Sequence, residues 1–199
     1  MRKVTVAAMA IAGFAAGPAA ALEPVVGPGE TIEARVDGDL DEDGAADLAY
    51  IVSAESWREL RVVLSRNARP VEALDLDLDP LGPASLTIDG KVLLFGDLTG
   101  GTTAVSSTRR FRYDGLRKRM RLIGLDATFY SRTFAHDGFE ASWNLLNGDA
   151  VTRELKLNEG GGDAAYRPGR ERRFKQRVRP RWLPESPDPE TMLEEARQD

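Results

Sequence analysis

The stretch Ala84-Ser85-Leu86-Thr87-Ile88-Asp89-Gly90-Lys91-Val92-Leu93-Leu94-Phe95 decides the fold class. Two runs rich in branched and apolar side chains flank Asp89-Gly90. That dipeptide accepts the positive φ of a tight hairpin turn, so the stretch reads as two antiparallel strands. The same grammar repeats outward along the chain. Ala46–Ala54 and Glu59–Ser65 read as a hairpin joined by a loop containing Trp57. In Val71–Leu78, Leu74, Leu76 and Leu78 alternate with Asp75, Asp77 and Asp79, the period of a half-buried strand. Thr102–Tyr113 and Lys118–Tyr130 meet through Asp114-Gly115, and Phe139–Leu146 and Ala150–Leu157 meet through Asn147-Gly148-Asp149. Short strands at regular spacing predict an all-β fold: an antiparallel sandwich or a strongly bent sheet, in a single domain. No βαβ pattern supports a Rossmann arrangement. Phe111, Tyr113, Leu122, Leu125, Trp143 and Leu145 are the expected inward-facing positions.

The chain has 199 residues, 27 Lys and Arg against 32 Asp and Glu, one His and no Cys. Without cysteine there are no disulfides, thiolate metal sites or cysteine nucleophiles. A single histidine excludes a multi-histidine metal site, and a formal charge of −5 argues against general nucleic-acid binding. Residues 1–21 stand apart. Arg2 and Lys3 precede an apolar run, Val4 to Gly17, and Pro18 leads to Ala19-Ala20-Ala21, whose small side chains suit a signal peptidase cutting before Leu22. The run is too short to cross about 30 Å of hydrocarbon. Export to the periplasm or the exterior, with no transmembrane anchor after cleavage, is therefore expected.

The densest chemistry lies at Asp37-Gly38-Asp39-Leu40-Asp41-Glu42-Asp43-Gly44-Ala45-Ala46-Asp47, with six acids in eleven residues. Asp39, Asp41 and Asp43 occupy loop positions 1, 3 and 5. Gly44 supplies the sharp turn at position 6, Ala45 offers a backbone carbonyl at 7, and Asp47 stands at 9. Alternating carboxylates on a tight loop suit Ca²⁺, a hard cation taking oxygens at about 2.3–2.6 Å, better than Mg²⁺. An EF-hand would need Glu at position 12, where Tyr50 stands. A solvated acidic turn is the alternative reading.

Asp39, Asp41, Asp43, Gly44 and Asp47, followed by the strand-like Leu48–Val52, resemble the D-x-D-x-D-G-x-x-D loop of FG-GAP and VCBS repeats. The resemblance covers roughly residues 31–65 and implies a structural Ca²⁺ held between two strands. Glu42 departs from the small residue usual at its position. The loop occurs once, so no propeller is implied. Phe111-Arg112-Tyr113, Arg121-Leu122-Ile123-Gly124 and Asn144-Leu145-Leu146-Asn147-Gly148 are similar to segments of small exported bacterial proteins of uncharacterised role. That likeness implies a single β-domain and no catalytic residue.

Catalytic signatures are sparse. His136-Asp137 falls between two strands, and no G-x-S-x-G elbow presents a serine to it. Gly96–Thr103 is glycine-rich but lacks the Gly-Lys-Ser/Thr of a phosphate loop and reads as a turn. Beyond Gly160-Gly161-Gly162, residues 163–199 form a last unit, distinct from the β-domain at 22–162. Tyr166–Arg181 holds eight basic residues and one acid. Arg173, Lys175, Arg177, Arg179 and Arg181 alternate with Phe174, Val178 and Trp182. This predicts either an edge strand with a cationic face or a basic arm for a protein or anionic envelope polymer. A proline-rich acidic tail follows, with a short helix expected over Thr191–Gln198. The leading expectation is an exported, Ca²⁺-stabilised binding domain. A hydrolase using carboxylates or His136, and a protective or inhibitory periplasmic protein, are the alternatives.

Overall fold

The computed structural model describes residues 22–67, 72–160 and 164–198, so the leader expected at 1–21 lies outside the described residues. Among the described residues, eleven strands form two antiparallel sheets. The smaller contains β1 (Thr31–Gly38), β2 (Asp47–Ala54), β3 (Trp57–Val63) and β4 (Glu72–Asp75), in chain order. The larger contains β5 (Ser85–Asp89), β6 (Val92–Gly100), β7 (Thr103–Asp114), β8 (Arg119–Ser131), β9 (Gly138–Asn144), β10 (Asp149–Leu157) and β11 (Tyr166–Lys175), also as a simple meander. A 3-10 turn, Leu183–Glu185, leads to the helix α1, Pro189–Gln198. The all-β reading is therefore what the molecule adopts, with one short C-terminal helix.

One core joins the two sheets. Ala49, Ile51, Leu60 and Val62 of the small sheet pack with Leu93, Phe95, Phe111, Leu122, Leu125 and Trp143 of the large one. Five of the six expected core residues are buried there, and Tyr113 packs at the margin. The odd positions of β2 face this core. Its even positions, Leu48, Tyr50 and Val52, form a second cluster with Val63 on the other face, covered by Leu22 and Trp57. Tyr50 Oη exchanges hydrogen bonds of 3.2 Å with the amide and carbonyl of Val25. Arg61 also donates to that carbonyl, and Arg35 donates to the carbonyl of Leu22. Residues 22–25 thus wall off the outer face of β2, which is buried on both sides as a central strand seldom is in a four-stranded antiparallel sheet.

A bulge in β1 supplies charge to the interior. The register slips between Ile32 and Ala34, leaving Glu33 as the extra residue. Such an insertion re-aims a side chain. Here the Glu33 carboxylate accepts from Arg58 of β3 at 2.7 and 2.8 Å and from the Ala84 amide. Arg58 is itself buried, and its other guanidinium edge meets Asp97 of β6. A second charged link joins the sheets where Glu72 of β4 accepts from Arg119 of β8 at 2.7 Å.

Several boundaries differ from the sequence reading. Trp57 opens β3, opposite Ala54, so the β2–β3 turn is Glu55-Ser56. The turn between β5 and β6 is Gly90-Lys91, because Asp89 pairs with Val92. The glycine-rich segment is mostly strand: β6 continues to Gly100, and only Gly101 and Thr102 turn. β4 stops at Asp75, since beyond the Leu76–Arg58 backbone bond β3 offers no further partner, and the chain crosses to bridge Pro80 with Thr99. Leu78 is consequently 52% exposed. The basic strand ends at Lys175 because its partner β10 begins at Asp149. Asp188 Oδ2 accepts from the amide and hydroxyl of Thr191, and Pro189 starts the helix two residues before the expected position. The tail joins the core through Leu183, Leu193 and Ala196.

Candidate metal centre

The acidic loop joins β1 to β2, and its shape follows from its short polar side chains. The Asp39 carboxylate accepts from the amides of Asp43 and Gly44 at 3.2 and 3.0 Å, and Asp43 accepts from Ala45 at 2.9 Å. These local bonds wind the chain around its own carboxylates. Gly44 takes a φ of 85° with open space where a Cβ would stand, so the glycine serves backbone conformation rather than packing. Glu42 also adopts a positive φ, 61°, which explains why a glycine or small residue suits its position better. Its carboxylate extends to Lys91 at 2.8 Å.

The fold brings three of the predicted ligands together. Asp39, Asp41 and Asp43 each present a carboxylate oxygen within 4.8 Å of the others. The Asp41 side chain is fully buried, and its Oδ2 has no hydrogen-bond partner. Arg66 Nη2 stands 2.8 Å from that oxygen but without hydrogen-bonding alignment, so the contact is an ion pair only. Burial, then the charge of Asp47, pushes the Asp41 carboxyl above its ordinary value against the pull of Arg66.

Asp47 does different work. It is fully buried at the start of β2, and its oxygens accept at 2.8 Å from the amides of Leu40 and Ser65. It ties the start of the loop to the end of β3 and lies outside the three-carboxylate group. Ala45 is half-buried and contributes its amide to Asp43. Two partners escaped the sequence reading. Ser65 donates its hydroxyl to Asp43 at 3.1 Å, and Arg66 stacks on the Tyr113 ring while reaching Asp41. Both follow the β3 strand, Ser65 lying 22 residues from the Asp43 it reaches, and only the β2–β3 pairing brings them back.

The other candidates take structural positions. His136 shares a 2.9 Å hydrogen bond with Thr103 Oγ1 through Nε2, while Nδ1 faces the Asp137 carbonyl at 2.7 Å. Its ring stacks on Phe129. Asp137 is engaged by the Leu157 amide and Lys156, so it does not orient the imidazole as a triad requires. In the basic row, Arg173 pairs with Glu171 and Lys175 with Asp149 along the edge strand β11. Arg177, Arg179 and Arg181 lie beyond the strand, exposed, with no ion pair among the described residues.

No protein-family model, curated protein or solved structure matches this chain. Among the described residues no helix is long and apolar enough to cross a membrane.

Proposed function

We propose that this protein is an exported β-domain that binds Ca²⁺ at the β1–β2 loop and acts as a binding module of the cell envelope. The observation that carries the ion reading is the convergence of Asp39, Asp41 and Asp43 around a buried carboxylate oxygen without a hydrogen-bond donor. An all-oxygen, anionic donor set suits a hard divalent cation, which would relieve the mutual repulsion of the three carboxylates. Asp39, Asp41 and Asp43 would hold it, with the Ala45 carbonyl at loop position 7 joining them, while Asp47, a ligand in the FG-GAP pattern, here braces the loop through the Leu40 and Ser65 amides. The ion would fix the loop, and hence the entry of β2 into the core. The leader at 1–21 supports export. The row Arg173, Lys175, Arg177, Arg179 and Arg181 suits an anionic polymer or an acidic protein surface.

Thermal melts of wild type and Asp43→Ala, in Ca²⁺ and in chelator, test the ion site. A calcium-dependent rise in Tm for wild type only is expected. The absence of any shift in wild type would sink it. Sequencing the N-terminus of protein recovered from a periplasmic fraction tests export, with Leu22 the expected first residue.

A further inference from the structure

At one end of the interface between the sheets the core turns polar. On the inward face of β7, Ser107 and Arg109 stand between Val105 and Phe111, and all four are buried. Arg109 is 8% exposed, with its guanidinium 5.4 Å above the Phe95 ring. A guanidinium carries five N–H donors. Here one of them reaches the Pro187 carbonyl at 3.5 Å, and Nε has no partner. The nearby buried acid, Asp97, gives both of its oxygens to Arg58. Ser186 Oγ is likewise buried without a partner. Arg109 and Ser186 both line one cavity of about 260 Å³, together with Ser107 and with Asp97, whose charge is already taken up by Arg58.

A buried cation this poorly solvated is costly unless something in the cavity completes its shell. Burial pushes the Arg109 guanidinium down to about 10, with the charges of Asp97 and Asp188 opposing, so it stays protonated at neutral pH. The cavity mouth has the opposite character: Asp75, Asp77 and Asp188 line it and are exposed. A planar carboxylate fits the guanidinium fork. A purely anionic ligand, however, would have to pass three carboxylates. We propose that this cavity binds a small amino-acid-like zwitterion. Its carboxylate sits on Arg109, Ser107 and Ser186, and its ammonium faces Asp75, Asp77 and Asp188.

Calorimetric titration of the purified protein tests this, using glycine, 4-aminobutyrate and lysine as ligands, with acetate and inorganic phosphate as controls. At least one amino acid is expected to bind saturably, and more tightly than either control. Ser186→Ala removes one donor to a charged group and should weaken that binding about tenfold. Arg109→Met should abolish it. Should Arg109→Met fail to fold, Ser186→Ala still decides, with its circular dichroism and unliganded Tm as the check on folding. No saturable binding by any amino acid, tighter binding of acetate or phosphate, or an unchanged affinity in Ser186→Ala would each overturn the proposal. Running the titration in Ca²⁺ and in chelator separates its outcome from that of the loop.

Discussion

The guanidinium of Arg58 in β3 forks onto the carboxylate of Asp97 in β6, with N–O distances of 2.9 and 3.1 Å, and clamps one sheet to the other. Both side chains are almost wholly buried, at 3% and 4% exposure. Removing one partner strands the other in a medium that solvates it poorly. Arg58→Ala, which leaves Asp97 and Glu33 without their cation, should destabilise the fold by about 3–5 kcal/mol in urea unfolding. Asp97→Ala should cost less, because Glu33 still pairs Arg58. The double variant should show coupling of about 0.5–3 kcal/mol. Strict additivity would mean that the pair does not act as a unit.

Glu33 makes the same network sensitive to acid. Desolvation favours its neutral form, but hydrogen bonds from Arg58 and the Ala84 amide outweigh that and hold its carboxyl below its ordinary value. A folded-state value below the unfolded one gives stability that is present above the unfolded pKa, about 4.3, and lost as pH falls through the folded one. The fall in Tm between pH 7 and pH 3 should therefore be smaller in Glu33→Gln than in wild type, from a lower starting Tm at pH 7. Parallel Tm–pH curves would contradict this.

Asp47 and Asp43 separate bracing from ion binding. Asp47→Ala leaves the buried amide of Leu40 without an acceptor, at about 1–3 kcal/mol, and the half-buried amide of Ser65 without one at a smaller cost. Its Tm should drop both in Ca²⁺ and in chelator. Asp43→Asn, in an exposed residue, should leave the chelator Tm nearly unchanged and remove the calcium increment. Arg66→Ala should tighten Ca²⁺ binding, because it frees Asp41 from a competing cation. Weaker binding in Arg66→Ala would show that the arginine helps to assemble the site.

Gly148, in the β9–β10 turn, has a φ of 83°, and a Cβ there would stand 2.3 Å from the Gln176 carbonyl oxygen. Gly44 has a similar φ with open space around it. Gly44→Ala should cost about 1–2 kcal/mol for the left-handed backbone alone. Gly148→Ala should cost clearly more, because Gln176 must also shift, and with it the end of β11. Equal losses in chemical denaturation would count against the steric argument.

The strands were legible because their alternation and turn dipeptides are local properties of the chain. Pairs such as Phe139–Leu146 with Ala150–Leu157 need no distant information to be read. The ends of β4 and β11 were not, since each strand stops where its neighbour runs out, which is set by pairing. In the loop, the convergence of Asp39, Asp41 and Asp43 follows from spacing. The bracing role of Asp47 depends on Ser65, brought close by the β2–β3 hairpin. The bulge at Glu33 is similarly invisible, because Ile32, Ala34 and Val36 keep the alternating parity of a regular strand. One signal could have been taken further: Ser107 and Arg109 share the parity of Val105 and Phe111, a polar interruption on an apolar face.

Sealing β2 on both faces has a kinetic consequence. Its amides are paired on one side with β1 and on the other with β3, and residues 22–25 close the remaining approach for water. Deuterium can then enter the middle of β2 only when the whole sheet comes apart, so its slowest protons measure the global free energy of unfolding. The edge strand β11 exchanges through far smaller openings. In a single hydrogen-exchange record the chain thus carries both a slow clock at Tyr50 and Ile51 and a fast one near Lys175.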